Sequence, residues 1–399
     1  MLYLHIPFCQ SRCIYCDFYS TTGTAALRSE FVRQLCRELE WRKDYLPQAA
    51  AEVSAPSEVD RKGVRPKSGT GRTAHLSSVY WGGGTPSQLH ESEIETLFEA
   101  IHSHYTLLPE AEVTFEANPD DITPELVSRL RGCGVNRVSL GVQSFSDTLL
   151  QMLRRRHSAA RAIQAVETLQ AGGIDNISID LIYGLPGQTL EGFRSDCRQA
   201  LSLPVTHLSS YALSVEPHTP LSRMIDRGQL QPADEELFLA QYEVLLEATA
   251  AAGYEHYEIS NFCRPGFRAR HNSGYWKGVP YLGVGPGAHS FDLVSRRANS
   301  PDLHAYIQAS GSDVPHETER LTRQDRINEL VFTSLRTSDG LDLARVEQQF
   351  GPAVRQTVAR CALPHLRAQR LEQCGTVLRL TRSGLFVSDS VMSDLMLSS

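Results

Sequence analysis

Short apolar runs alternate with segments of helical period from the first residues onward. Residues 3–6 read as a strand and 26–44 as a helix, with Phe31, Leu35 and Leu39 on one stripe. The alternation returns at 77–81 and 91–102, at 112–117 before a helix opening on Thr123-Pro124-Glu125, and at 135–140 before helices over 146–153 and 159–171. Residues 177–182, a helix over 189–201 and a strand over 207–213 close the series. The helix start at Thr123-Pro124 is well marked, because threonine can cap it and proline lacks only a donor that would be unpaired at the first turn.

Strand then helix, repeated six times, predicts a parallel sheet with crossover helices. Runs that are apolar on both faces, such as 177–182, predict that helices cover the sheet. The expected fold class is therefore α/β, as a partly open (β/α)6 barrel or a doubly wound sheet. Both collect binding residues at the C-terminal ends of strands. Two stretches break the pattern. Residues 51–76 are rich in Ser, Gly, Pro and charge and read as a mobile surface insertion, and the polar stretch 299–318 reads as a linker. Between them lies the rest of a domain over 1–298. Beyond, 319–399 reads as a smaller, mainly helical domain, with helices over 322–335, 343–350 and 359–373 and short strands over 376–380 and 385–387.

Composition narrows the function classes. The 399 residues carry a net charge of −7 and are 41% hydrophobic, which lacks the basic excess of a nucleic-acid binder. No apolar run is long enough for a transmembrane helix. Residues 2–9 have no basic n-region and place Pro7-Phe8 before Cys9, so they do not read as an export signal, and a cytoplasmic location is expected. Of nine cysteines, Cys36, Cys133, Cys197, Cys263, Cys361 and Cys374 stand isolated and read as ordinary thiols.

Cys9, Cys13 and Cys16 differ. Three thiols spaced x3 and x2 in a loop after the first strand can grip one [4Fe-4S] cluster and leave its fourth iron without a Cys ligand. Zinc would want a fourth nearby Cys or His, and His5 lies in the strand. Further along, Gly83 and Gly84 in Trp81-Gly82-Gly83-Gly84-Thr85-Pro86 allow close backbone approach to a ligand, although three glycines also describe a flexible turn. Glu116 ends the third strand and could accept from ribose hydroxyls, or simply favour the next helix. Gln143 ends the fourth strand, Arg155 follows, and Asp180 stands inside an apolar run where a carboxylate needs partners.

The cysteine spacing resembles the signature of the radical S-adenosylmethionine (SAM) superfamily. That resemblance implies a cluster whose open iron chelates the methionine moiety, with one-electron reduction cleaving SAM to a 5′-deoxyadenosyl radical. It also implies that Tyr3, Tyr15, Gly83, Gly84, Thr85, Glu116, Gln143, Arg155 and Asp180 line the SAM site. Together with His5-Ile6-Pro7-Phe8, Gly134 to Arg137, Leu181 to Gln188, Tyr257-Glu258-Ile259-Ser260-Asn261 and Thr381 to Leu385, the motifs resemble the HemN/HemW branch, which contains the oxygen-independent coproporphyrinogen III oxidases and the haem chaperones. The oxidases carry a further Cys where this chain has Phe18, and a segment ahead of their cysteines, so the resemblance is to the chaperones.

His271-Asn272-Ser273-Gly274-Tyr275-Trp276 is similar to the chaperones' haem motif. It implies that His271, Tyr275 and Trp276 contact haem, imidazole being a common axial ligand and the rings offering flat apolar faces. On the residues alone, a polar turn with both rings in the core is equally described. Gly283 to His289 could bring backbone to the adenine side or be a tight connection. The implied function is to bind haem and hand it to apo-haemoprotein acceptors in respiration, with a one-electron reductant as a further partner. The alternative is radical decarboxylation of coproporphyrinogen III, and a third reading is a scaffold whose cluster is structural.

Overall fold

The computed structural model describes residues 1–46, 74–310 and 314–397. In chain order its first elements are β1 (Leu2–Ile6), α1 (Ala25–Trp41), β2 (Ala74–Gly83), α2 (Glu91–His104), β3 (Tyr105–Ala117), α3 (Pro124–Gly132), β4 (Arg137–Gln143), α4 (Asp147–Met152), α5 (Ala159–Ala171), β5 (Asn176–Tyr183), α6 (Leu190–Ser202) and β6 (His207–Ala212). The expected strand and helix alternation is present throughout. Residues 51–73 of the expected insertion lie outside the described residues, but Ala74 to Leu76 do not belong to an insertion. They open β2, with Ala74 and Leu76 buried on one face.

After β6 come α7 (Pro220–Asp226), α8 (Glu235–Ala251), β7 (Glu255–Glu258), β8 (Asn261–Cys263), α9 (Arg270–Trp276), β9 (Leu282–Val284), β10 (His289–Phe291), β11 (Ser295–Asn299), α10 (Leu303–Gln308) and β12 (His316–Arg320). The last elements are α11 (Arg323–Leu335), β13 (Leu341–Asp342), α12 (Leu343–Phe350), α13 (Pro352–Arg367), β14 (Leu371–Cys374), β15 (Val377–Leu380), α14 (Arg382–Leu385) and α15 (Ser388–Leu395). The stretch 299–318 is thus no bare linker, since α10 buries Leu303 and Tyr306. Likewise 385–387 is no strand: Thr381 caps α14 by accepting from Gly384 N, which commits those residues to a helical turn.

The chain divides into two compact units, and β3 runs from one into the other. The first comprises residues 1–10, 19–113 and 280–319. There β1 lies between β2 and β9, parallel to both. On α1, Thr24 caps the start and Phe31, Leu35 and Leu39 are buried as their spacing predicts. A fully buried carboxylate sits in this core. Glu38 is 0% exposed and accepts from Arg42 Nη1 (3.1 Å), Gly285 N (2.8 Å), Asn299 Nδ2 (2.8 Å) and Tyr306 OH (2.8 Å). Full hydrogen bonding and an ion pair are what make a buried carboxylate tolerable. Gly283 to His289 is a tight connection here: a side chain on Gly285 would stand 2.5 Å from the His5 carbonyl oxygen.

The second unit comprises residues 11–18, 114–279 and 320–399. The end of β3, β4, β5 and β6 pair in parallel, and β8 and β7 add antiparallel strands beyond β6. The C-terminal segment packs α11, α12, α13 and α15 against the small sheet β13–β15–β14 around Val331, Leu335, Val346, Val358, Leu378 and Val391. Of the two expected strands only the first is present, as β15, and it pairs with β14, a strand taken from the end of the helix read over 359–373; that helix instead runs from Pro352 to Arg367.

Candidate functional site

In the first unit, parallel register sets His5 opposite Gly82 and Ile6 opposite Gly83, so the loop after β1 runs beside the glycines. Gly83 has φ +109°, and Gly84 N donates to Ile6 O at 2.7 Å. A side chain on Gly84 would stand 2.8 Å from Phe8 O, so glycine is required for this approach. Thr85 is 6% exposed, and its Oγ1 lies 3.6 Å from Cys9 Sγ. Tyr3 stacks on Tyr80 and donates its hydroxyl to His5 Nδ1 at 3.1 Å, while His5 Nε2 donates to Tyr19 O at 2.9 Å. Burial holds His5 below the usual imidazole range, which suits this neutral tautomer.

In the second unit, the structure brings Cys13, Tyr15, Gln143 and Arg155 together. Arg155 donates from Nη1 to Cys13 Sγ (3.4 Å) and from Nη2 to Asn118 Oδ1 (2.7 Å) and Gly141 O. Tyr15 lies beside this cation and both neighbouring cysteines, its phenol pushed up chiefly by burial. A register shift between Gly141 and Gln143 swings Gln143 to φ +71°, a backbone state that an L residue adopts at a cost. A side chain on Gly141 would stand 2.9 Å from Gln143 Nε2 and 3.2 Å from Arg155 Nη2. Asn118 and Gly141, which the sequence analysis does not single out, hold the Arg155 guanidinium, a role that only the arginine's reach shows.

Asp180 accepts long hydrogen bonds from Ser139 Oγ (3.4 and 3.5 Å), and burial pushes its carboxyl up against the opposing pull of Ser209 and Arg137. Glu116 stands at the end of β3, opposite Ser139 in register. Phe18, where the oxidases carry a further Cys, is 66% exposed. Among the described residues no three Cys, His, Asp or Glu side chains are gathered closely enough to hold a metal ion. Ligand thiols lose their mutual spread when metal draws them in, because metal binding and the ordering of its ligands are one process.

α9 carries the sequence motif His271 to Trp276. His271 is 0% exposed, meets Tyr275 edge-on, and shares a 2.8 Å hydrogen bond between Nε2 and the phenol. Burial pushes its imidazole down to about 3. Trp276 is half-buried, with the Arg336 guanidinium 4.9 Å from its ring centroid.

Comparison with known proteins turns these arrangements into a family. The radical SAM superfamily profile matches residues 68–200, and the HemN C-terminal domain profile matches residues 321–387. The haem chaperone HemW of Mycobacterium tuberculosis is 36% identical over 99% of this chain and 94% of its own length. The chain belongs to the HemW family. A second HemW, from Lactococcus lactis, is 34% identical over 87% of this chain and 84% of its own length. The solved coproporphyrinogen III oxidase HemN of Escherichia coli superposes with a TM-score of 0.81 at 21% identity, covering 99% of this chain and 89% of that one. The chain therefore has the HemN fold, α/β with a mainly parallel sheet and a helical C-terminal region. Membership of the radical SAM superfamily carries a [4Fe-4S] cluster and SAM with it. Among the described residues, no helix is long and apolar enough to cross a membrane.

Proposed function

We propose that this protein is a haem chaperone, binding haem and passing it to apo-haemoproteins. The observation that carries the reading is identity to HemW proteins along nearly the whole chain, at 36% over 99% of it. Cys9, Cys13 and Cys16 ligate the cluster. Their donor set fits: three thiols within residues 9–16, none of them in a disulfide, with Arg155 already donating to one of them. Tyr3, Tyr15, Gly83, Gly84, Thr85, Glu116, Gln143, Arg155 and Asp180 hold SAM. The glycines offer backbone amides, and Arg155 offers a fixed cation for the methionine carboxylate. When bound, the cluster supplies an open iron and a one-electron site, for which a cellular reductant is the partner.

His271, Tyr275 and Trp276 form the haem contact. His271 is neutral and holds Tyr275, so its Nε2 could ligate iron only by exchanging that hydrogen bond. A reducing compartment keeps cluster thiols free, which favours the cytoplasm as the setting. Phe18 supports chaperone over oxidase, since it stands where the oxidases carry a further thiol.

The deciding experiment sets anaerobically reconstituted protein against two ligands. Haem titration is expected to give a saturable Soret change, weakened in His271→Ala and Trp276→Ala. Incubation with coproporphyrinogen III, SAM and a reductant is expected to give no protoporphyrinogen IX. Formation of that product overturns the chaperone reading, and haem binding unaltered by both substitutions overturns the site.

A further inference from the structure

The stretch Tyr257-Glu258-Ile259-Ser260-Asn261 has no part in the cluster or SAM sets, yet it holds a buried carboxylate. Glu258 is 2% exposed, and its Oε1 accepts from Ser260 N at 3.1 Å and from Asn261 Nδ2. Its Oε2 has no hydrogen bond and faces Arg336 Nε at 3.6 Å. Burial pushes the Glu258 carboxyl up, and Arg336 is the main force opposing it.

Arg336 follows α11, within the segment matched by the HemN C-terminal domain profile. Its backbone is pinned to the β7–β8 hairpin: Ile259 N donates to Arg336 O at 3.2 Å, and Ser338 N to Tyr257 O at 3.0 Å. With the backbone fixed and Glu258 on one side, the guanidinium lies 4.9 Å from the Trp276 ring centroid and 5.9 Å from that of Phe332. The indole has no hydrogen bond of its own, since Trp276 Nε1 is buried without a partner. His271 and Tyr275 share a hydrogen bond within the motif, and Trp276 meets a neighbour from outside it, Arg336.

We infer that Arg336, supplied by the C-terminal domain, is the positioning residue of the haem motif: its cation–π contact fixes the plane of Trp276, and Glu258 fixes Arg336. A flat porphyrin gains most from an aromatic ring whose plane is set before it arrives, because little ordering is then left to do on binding. Arginine suits the task because its guanidinium is planar and permanently charged. The haem half of the inference rests on the chaperone reading, while the contact with Trp276 does not.

The test uses the full-length chain as wild type, Arg336→Leu, Arg336→Lys, Glu258→Gln and Trp276→Phe. Before haem is added, the near-ultraviolet circular dichroism of Trp276 is isolated by difference from Trp276→Phe, there being three tryptophans in all. Arg336→Leu is expected to lose that signal and to raise the haem Kd roughly three- to tenfold, with Arg336→Lys between it and wild type. An unchanged Trp276 signal in folded Arg336→Leu overturns the contact. A lost signal with unchanged haem Kd overturns the role in haem binding. Should Arg336→Leu fail to fold, Arg336→Lys and Glu258→Gln decide by the same two readings. Wild type that takes up no haem refutes the chaperone reading, and the spectrum of the haem-free protein still decides the contact.

Discussion

Arg155 donates to the thiol of Cys13 across 3.4 Å although 142 residues separate them. The same guanidinium is tied to Asn118 and Gly141, so its position is set by β3 and β4 rather than by the cysteine loop. Iron binds sulfur as thiolate, and a fixed cation beside the sulfur offsets the charge of that ligand.

Cys13→Ser is therefore expected to abolish the visible iron-sulfur absorbance of reconstituted protein. Cys36→Ser, on α1, is expected to keep it. Iron and sulfide analysis per chain checks both, and equal cluster content in the two variants would count against the ligand assignment.

Gly84→Ala places a methyl group 2.8 Å from Phe8 O and 3.0 Å from Ile6 O, and neither backbone atom can step aside cheaply. We expect SAM affinity to fall at least tenfold by calorimetry. Gly187→Ala meets nothing within 4 Å and bears only its φ of +78°, so it is expected to cost about 1 kcal/mol of stability and no SAM affinity. Similar SAM binding by both proteins would show that the glycine loop is not pressed against the ligand.

Glu38→Gln leaves Arg42 buried without its counter-ion. A loss of about 3 kcal/mol or more is expected in urea denaturation, and Glu38→Leu combined with Arg42→Met should recover much of it. Wild-type stability in the single variant would mean that water or another anion serves Arg42.

His157 is pushed down to about 4 and His271 to about 3, in each case chiefly by burial. Unfolded, both have an ordinary pKa of about 6.5. Below that value the unfolded chain takes up protons that the folded protein refuses, so this stability is complete above about pH 7 and drains away as pH falls. Each histidine accounts for roughly 2 kcal/mol between pH 7 and 5. The raised carboxyls of Asp180 and Glu258 act with opposite sign, so the difference between proteins is the useful quantity. His157→Gln should shrink the pH-dependent loss by about 2 kcal/mol in denaturation at the two pH values, and an identical loss would exclude His157 from it.

Local periodicity made the β1 to β6 series legible, because each strand and helix repeats its own pattern within a few residues. It failed where a short element owes its existence to distant partners. β2 begins at Ala74 through pairing, not composition, and α10 exists because Tyr306 reaches Glu38. The motifs pointed to candidate site residues but not to their connections. Arg155 stood out as a charge; that it serves Cys13 and uses Asn118 follows only from strands brought side by side. His271 was legible as a motif, but its closure onto Tyr275 and the Arg336 contact with Trp276 depend on tertiary packing.

Glu38 finds its partners 247, 261 and 268 residues further along the chain, at Gly285, Asn299 and Tyr306. On the ribosome, the acid emerges early and these three partners emerge more than two hundred residues later. β1 likewise waits for β9 before its second edge is paired. Until residue 306 has left the exit tunnel, α1 has no place to bury its charge, and the N-terminal strand keeps an open edge. The oldest part of the nascent chain thus becomes native only after some three hundred residues have been made, which makes completion of this unit a late event in synthesis.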